Sequence, residues 1–72
     1  MTNDHDRLER IEQDLGMVRE HIAHERRFIR EVEIEGHSTR LAQRTLHGLH
    51  HFRDAIRRHR RILLERLGLY RA

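Results

Sequence analysis

The apolar residues of this chain recur at heptad spacing through two long segments, and no proline interrupts either segment. With Leu8 taken as position a, seven of the eight a and d positions up to Val32 are apolar, and Glu25 is the exception. The second segment has apolar residues at a, e and g positions between Leu41 and Leu67. Because a repeat of seven is typical of long helices packed side by side, the sequence predicts an all-α fold.

A short connection separates the two segments. Gly36 favours a left-handed turn, the hydroxyl of Ser38 is suited to cap the following helix, and Asn3 or Asp4 is suited to cap the first. We therefore predict a single domain over residues 1–72, with a helix at 4–35, a turn at 35–38 and a helix at 38–67. Since so short a turn makes successive helices neighbours, the expected architecture is a two-helix antiparallel hairpin.

The two segments carry opposite charge, although the chain contains no lysine. Residues 1–38 hold six Arg and ten acidic residues, a balance of −4, whereas residues 39–72 hold nine Arg and two acidic residues, a balance of +7. An acidic helix attracts a basic neighbour, which favours the hairpin, and the surplus leaves a positive surface on the second helix.

The apolar face of the second segment is wider than one partner helix covers. A chain of 72 residues without cysteine has neither a disulfide nor a thiolate metal site to stabilise a small core. Association with another chain is the remaining way to bury enough apolar surface. We therefore expect the hairpin to form a homodimer, a four-helix bundle. The predicted dimer interface consists of Leu41, Leu46, Gly48, Leu49, Phe52, Ala55, Ile56, Ile62 and Leu63.

Two small residues of this face, Gly48 and Ala55, lie one heptad apart. They permit either close approach of a neighbouring helix or room for Phe28 of the same hairpin, and the sequence leaves both open.

Two polar residues, Glu25 and His59, fall at d positions, where burial is expected. Each then needs a partner to offset its desolvation, and the hairpin register suggests Arg44 for Glu25 and Asp14 for His59. A polar residue in a heptad seam more often sets alignment than performs catalysis.

Histidines cluster in both segments. The i,i+4 pairs His21–Glu25 and His47–His51 each offer two ligands from one helix face to zinc, nickel or cobalt. Their heptad positions turn the pairs in different directions, so exposed histidines on a polar face are the favoured interpretation. No metal or other cofactor is expected.

Five arginines crowd about two turns of the second helix and form a basic stripe able to neutralise phosphates. They are Arg53, Arg57, Arg58, Arg60 and Arg61. The competing interpretation is that Arg53 and Arg60, at e positions, pair with acids of the first helix such as Glu12. The chain lacks a stacking platform of aromatic residues and the spacing of any common DNA-binding motif, which favours the second interpretation.

The sequence contains no pattern that supports catalysis. There is no nucleophile placed beside a base and no glycine-rich phosphate loop, so we do not expect an enzyme. The N-terminus lacks a basic start, and no stretch approaches the roughly 20 apolar residues that span a bilayer. The expected protein is therefore soluble and cytoplasmic.

Three motifs follow one another between residues 18 and 67: His21-Ile22-Ala23, the turn from Glu35 to Thr39, and His59-Arg60 followed by aliphatic residues. This pattern resembles a group of small, uncharacterised bacterial helical proteins. Members of that group carry Asp where this chain has Ser38, a change that preserves capping, and many carry Gly where it has Glu25. The resemblance implies a helical hairpin and brings no assigned activity.

Taken together, these patterns predict a small, non-enzymatic interaction or adaptor module that acts as a homodimeric helical bundle. One alternative is an arginine-rich nucleic-acid-binding protein that uses the basic stripe. A second alternative is a bundle that binds a divalent metal. The expected partners are a second copy of the chain and an unidentified protein, and no membrane.

Overall fold

A computed structural model describes residues 3–69 of the chain. Within that range it contains two α-helices, α1 (Asp4–Ile34) and α2 (Arg40–Arg66), and no strand. The helices pack against each other along their length, giving a rod of 50 × 24 × 17 Å. The predicted all-helical fold with two packed helices is confirmed.

Contacts at both ends show that the helices are antiparallel. At the open end, Arg66 Nη2 lies 3.3 Å from Asp4 Oδ2. Near the turn, Val32 and Ala42 line the same groove. The acidic start of α1 therefore lies beside the basic end of α2, as the opposite charges of the two segments predicted.

The core is one row of aliphatic side chains between the helices. Its centre consists of Leu15, Val18 and Ile22, against which Leu46, Leu49 and Ile56 pack. All buried side chains of α1 occupy the predicted a and d positions. Among residues 3–69, the buried side chains are Ile11, Leu15, Val18, Ile22 and Ile29 of α1 and Leu63 of α2.

The seam of α2 differs from the prediction at its d positions. The a positions face α1 as expected, but Phe52 and His59 are exposed, and the e positions Leu46, Arg60 and Leu67 turn toward α1 instead. Steps of four and three residues describe an a/e row as well as an a/d row. The a/e row buries two leucines and leaves the arginine head groups at the rim, whereas the a/d row would bury a histidine and an arginine.

Glycine ends both helices with the same hydrogen-bonding motif. Gly36 and Gly68 have φ angles of 79° and 71°, in the left-handed region. At the first, the N–H of Gly36 donates to the carbonyl of Glu33 and the N–H of His37 donates to that of Val32, both at 3.0 Å. This is the Schellman arrangement, which satisfies carbonyls that the last turn leaves without partners.

The helix starts are capped differently from each other. Asn3 Oδ1 accepts a hydrogen bond from the N–H of Asp6 at 2.8 Å, as predicted for α1. Ser38 stays outside α2, which begins two residues later than expected. Its Oγ accepts from the N–H of Arg40 at 3.4 Å, while Thr39 occupies the cap position without a side-chain hydrogen bond.

Candidate interaction surface

An apolar stripe runs along the side of α2 that α1 does not cover. We define it by Leu41, Gly48, Phe52, Ala55 and Ile62, all of which are exposed. Leu41, Phe52 and Ile62 keep 76%, 58% and 52% of their surface accessible. The stripe follows heptad steps, so its members lie on one face of the helix.

Two apolar residues of α1 extend this surface sideways. Phe28 lines a groove with Leu41, and Met17 lines a second groove with Phe52. Both side chains are largely exposed, at 47% for Phe28 and 68% for Met17. Neither residue belongs to the predicted interface, because Met17 and Phe28 lie outside the a and d positions of α1.

Gly48 lies under open space in the isolated hairpin. A Cβ atom built on this residue meets no other heavy atom within 4 Å. Phe28 instead lies in the groove that Leu41 and Thr45 line. The interpretation that the small residue makes room for Phe28 is therefore wrong, and the hairpin itself gives no reason for glycine at this position.

The predicted dimer interface divides into two groups. Five of its nine residues form the exposed apolar stripe. Leu46, Leu49 and Ile56 pack on the core of their own hairpin, and Leu63 retains only 1% of its surface. The face that a second chain can contact is thus narrower than the predicted interface, because four of the nine predicted residues already pack inside their own hairpin.

The two polar residues at d positions lie in different surroundings. Glu25 is half-buried in the groove that holds Phe28 and Leu41, and within residues 3–69 it has no ion pair with Arg44. His59 is exposed, so its expected burial is wrong, and within residues 3–69 no ion pair joins it to Asp14. Because the a and e positions of α2 face α1, His59 at a d position faces solvent. It therefore has no desolvation cost that a partner would have to offset.

The arginines of the basic stripe are partly engaged by carboxylates. Arg60 donates to Glu12 across the hairpin, as predicted, whereas Arg53 Nη2 lies 3.2 Å from Asp54 of its own helix rather than reaching α1. Arg61 Nε lies 3.3 Å from Glu65 Oε1. Four of the five arginines line one shallow depression together with Leu64, namely Arg57, Arg58, Arg60 and Arg61.

The histidine candidates are not brought together as a set of four. His47 and His51 are exposed on α2, and their Nε2 atoms lie 3.1 Å apart. His21 lies on α1 in the grooves around Met17, and Glu25 lies in the groove nearer the turn. Within the described part of the chain, no three His, Asp or Glu side chains converge as a metal site would require.

Comparison of the chain with protein-family models, with curated proteins and with solved structures gave no match. The resemblance to small bacterial helical proteins therefore stays a prediction. Over residues 3–69, neither helix is long and apolar enough to cross a lipid bilayer.

Proposed function

We propose that this chain acts as a non-enzymatic interaction module that pairs with a second copy of itself through the apolar stripe of α2. The observation that supports the proposal is the row of exposed apolar side chains at heptad spacing, of which Leu41, Phe52 and Ile62 are the largest. Each such side chain stabilises an association by about 1.5–3 kcal/mol when it is fully buried. A row with this spacing fits another helix rather than a small ligand.

The chemistry of the hairpin favours a second copy as the occupant. The surface offers large side chains beside small ones, since Gly48 and Ala55 flank Phe52, so one chain supplies both the projecting groups and the open space that receives them. The acidic α1 and basic α2 also attract each other between copies, as they do within one hairpin. Self-complementarity of this kind is what a two-fold symmetric interface requires.

Sedimentation equilibrium of the full chain tests the proposal. The wild-type protein is expected to sediment as a dimer at about 100 μM, and the Phe52→Gln, Ile62→Gln double variant as a monomer. Both side chains are exposed in the hairpin, so the variant keeps its helical circular dichroism. Ile34→Gln is the matched control, because Ile34 is 82% exposed on α1, outside the stripe, and this variant should remain dimeric.

A monomeric wild-type chain under these conditions would overturn the proposal. So would a Phe52→Gln, Ile62→Gln variant that dimerises as tightly as the wild type, because the association would then use another surface.

A second candidate function, binding of nucleic acid, is favoured by one observation. Arg57, Arg58, Arg60 and Arg61 line the same depression, which concentrates positive charge on the surface of α2. Several phosphates of a duplex would be neutralised there, and binding would weaken steeply with added salt.

A mobility-shift titration with a mixed-sequence duplex distinguishes this candidate. Arg57→Glu with Arg58→Glu should abolish a salt-dependent shift, whereas Arg19→Glu with Arg26→Glu, which changes charge equally on exposed positions of α1, should preserve it. No shift by the wild-type chain at low salt excludes this function.

A further inference from the structure

The side chains of His47 and His51 form a convergent pair on the exposed side of α2. Their Nε2 atoms lie 3.1 Å apart, and their ring centroids are 4.5 Å apart with the planes at 79°. Residues four apart in a helix share a face, so both rings extend from neighbouring turns toward the same point. Neither ring contributes to the core, since both residues are exposed.

The separation of the two nitrogens matches the bite of a chelate. Bonds of about 2.0–2.1 Å from one metal ion to two imidazole nitrogens, at angles between about 90° and 109°, place those nitrogens about 2.8–3.4 Å apart. The distance of 3.1 Å between His47 Nε2 and His51 Nε2 falls inside that interval. We propose that His47 and His51 form a bidentate site for a divalent transition-metal ion, with water completing the coordination sphere.

The same geometry defines the state without metal. Two neutral rings at this distance share one proton, with one Nε2–H donating to the unprotonated Nε2 of the other, so the rings hold opposite tautomers. For both Nε2 atoms to bind one ion, the proton on the donating Nε2 moves through solvent to Nδ1 of the same ring, so that both rings stay neutral and each Nε2 offers a lone pair. The metal ion then makes a bond to each nitrogen. It then links adjacent turns of α2 by a connection that only the helical state provides, so binding stabilises the helix.

The donor atoms of the site select which divalent ions bind. Residues 39–72 carry a net +7, and Asp54, one turn beyond His51, is held by Arg53 Nη2 at 3.2 Å. The site therefore offers nitrogen ligands in a positive field, without a free carboxylate. Mg²⁺ and Ca²⁺ prefer oxygen ligands and are excluded. Imidazole nitrogens bind Cu²⁺ more tightly than they bind Ni²⁺ or Zn²⁺.

Calorimetric titration of the untagged full chain with CuCl₂, NiCl₂ and MgCl₂ tests the site. The wild type is expected to bind Cu²⁺ more tightly than Ni²⁺ and not to bind Mg²⁺. His47→Ala and His51→Ala should each weaken Cu²⁺ binding by on the order of 100-fold, because the second imidazole binds as part of the same molecule at high effective concentration. Thermal unfolding followed by circular dichroism should show a rise in Tm with Ni²⁺ for the wild type only.

Two matched variants control for the other histidines. His59→Ala removes an exposed histidine of the same helix, and His24→Ala removes one from α1, where it lies near His21. Both should retain the Cu²⁺ affinity and the Ni²⁺-dependent rise in Tm. Equal Cu²⁺ affinity of His51→Ala and the wild type, or a loss of affinity in His59→Ala of the same size, would refute the site.

The two proposed metal ligands are not members of the apolar stripe. The Phe52→Gln, Ile62→Gln variant should therefore bind Cu²⁺ with wild-type affinity, so the two proposals fail or succeed separately.

Discussion

Arg60 of α2 reaches across the hairpin to Glu12 of α1, and its Nε donates a hydrogen bond to the Oε1 of that carboxylate. The side chains retain 42% and 47% of their surface, so the pair lies at the rim of the core rather than inside it. The short connection between the helices sets their register, and the pair of Arg66 with Asp4 at the open end lies in the same register. Both ion pairs therefore fit the alignment of α1 and α2 without being its main cause.

Removing the interhelical pair should cost little stability. Arg60→Ala and Glu12→Gln are each expected to lower the free energy of unfolding by about 0.2–1 kcal/mol, because the pair is exposed and screened by water. A double-mutant cycle from urea unfolding should give a coupling energy in the same range that decreases in 1 M salt. A coupling energy that is independent of salt would contradict this assignment.

Truncating the centre of the core should have a large effect. Leu15 is 2% exposed and packs in the cluster with Val18 and Ile22, so Leu15→Ala is expected to lower the free energy of unfolding by about 2–5 kcal/mol. Met17→Ala, two residues away and 68% exposed, is the control and should change it by less than about 0.5 kcal/mol. Similar losses for both variants in urea unfolding would argue against the described orientation of α1.

Replacement by alanine should have opposite effects on stability at Gly16, inside α1, and at Gly36, in the turn. Gly36→Ala places a Cβ at a φ of 79° and should destabilise the hairpin by about 1–2 kcal/mol. Gly16→Ala should stabilise it by about 0.5–1 kcal/mol, because Gly16 lies inside a helix with open space where the methyl group would stand. Thermal unfolding of the two variants measures the difference, and equal effects would contradict the turn geometry.

Replacing the half-buried carboxylate should stabilise the fold. Glu25 lies beside Phe28 and Leu41 in one groove, so Glu25→Leu is expected to raise the free energy of unfolding by roughly 1 kcal/mol through apolar burial and relief of desolvation. The same change should broaden the distribution of oligomers in sedimentation velocity, since a polar group next to the stripe restricts how copies align. A strongly destabilised variant with a single assembly state would be inconsistent with this role.

Much of the candidate site could be predicted from sequence, but the sequence did not show which apolar residues of α2 are exposed and which contact α1. Heptad counting predicted Leu41, Phe52 and Ile62 for the interface, and the structure leaves all three exposed. The i,i+4 rule paired His47 with His51, whose Nε2 atoms lie 3.1 Å apart. Heptad counting could not distinguish the exposed residues from Leu49 and Ile56, which have the same spacing but contact α1. Periodicity gives the faces of a helix, and only a packed neighbour decides which face is covered.

The sequence by itself determined that the chain forms two helices, that the first ends just before Gly36, and which side chains of α1 are buried. These features depend on local backbone preference and on the single row of apolar a and d residues in α1. The tertiary structure alone decided which of two overlapping rows on α2 faces inward. It placed Leu46 inside and His59 outside, since the a/d and a/e rows have the same periodicity and differ only in the cost of burying their polar members.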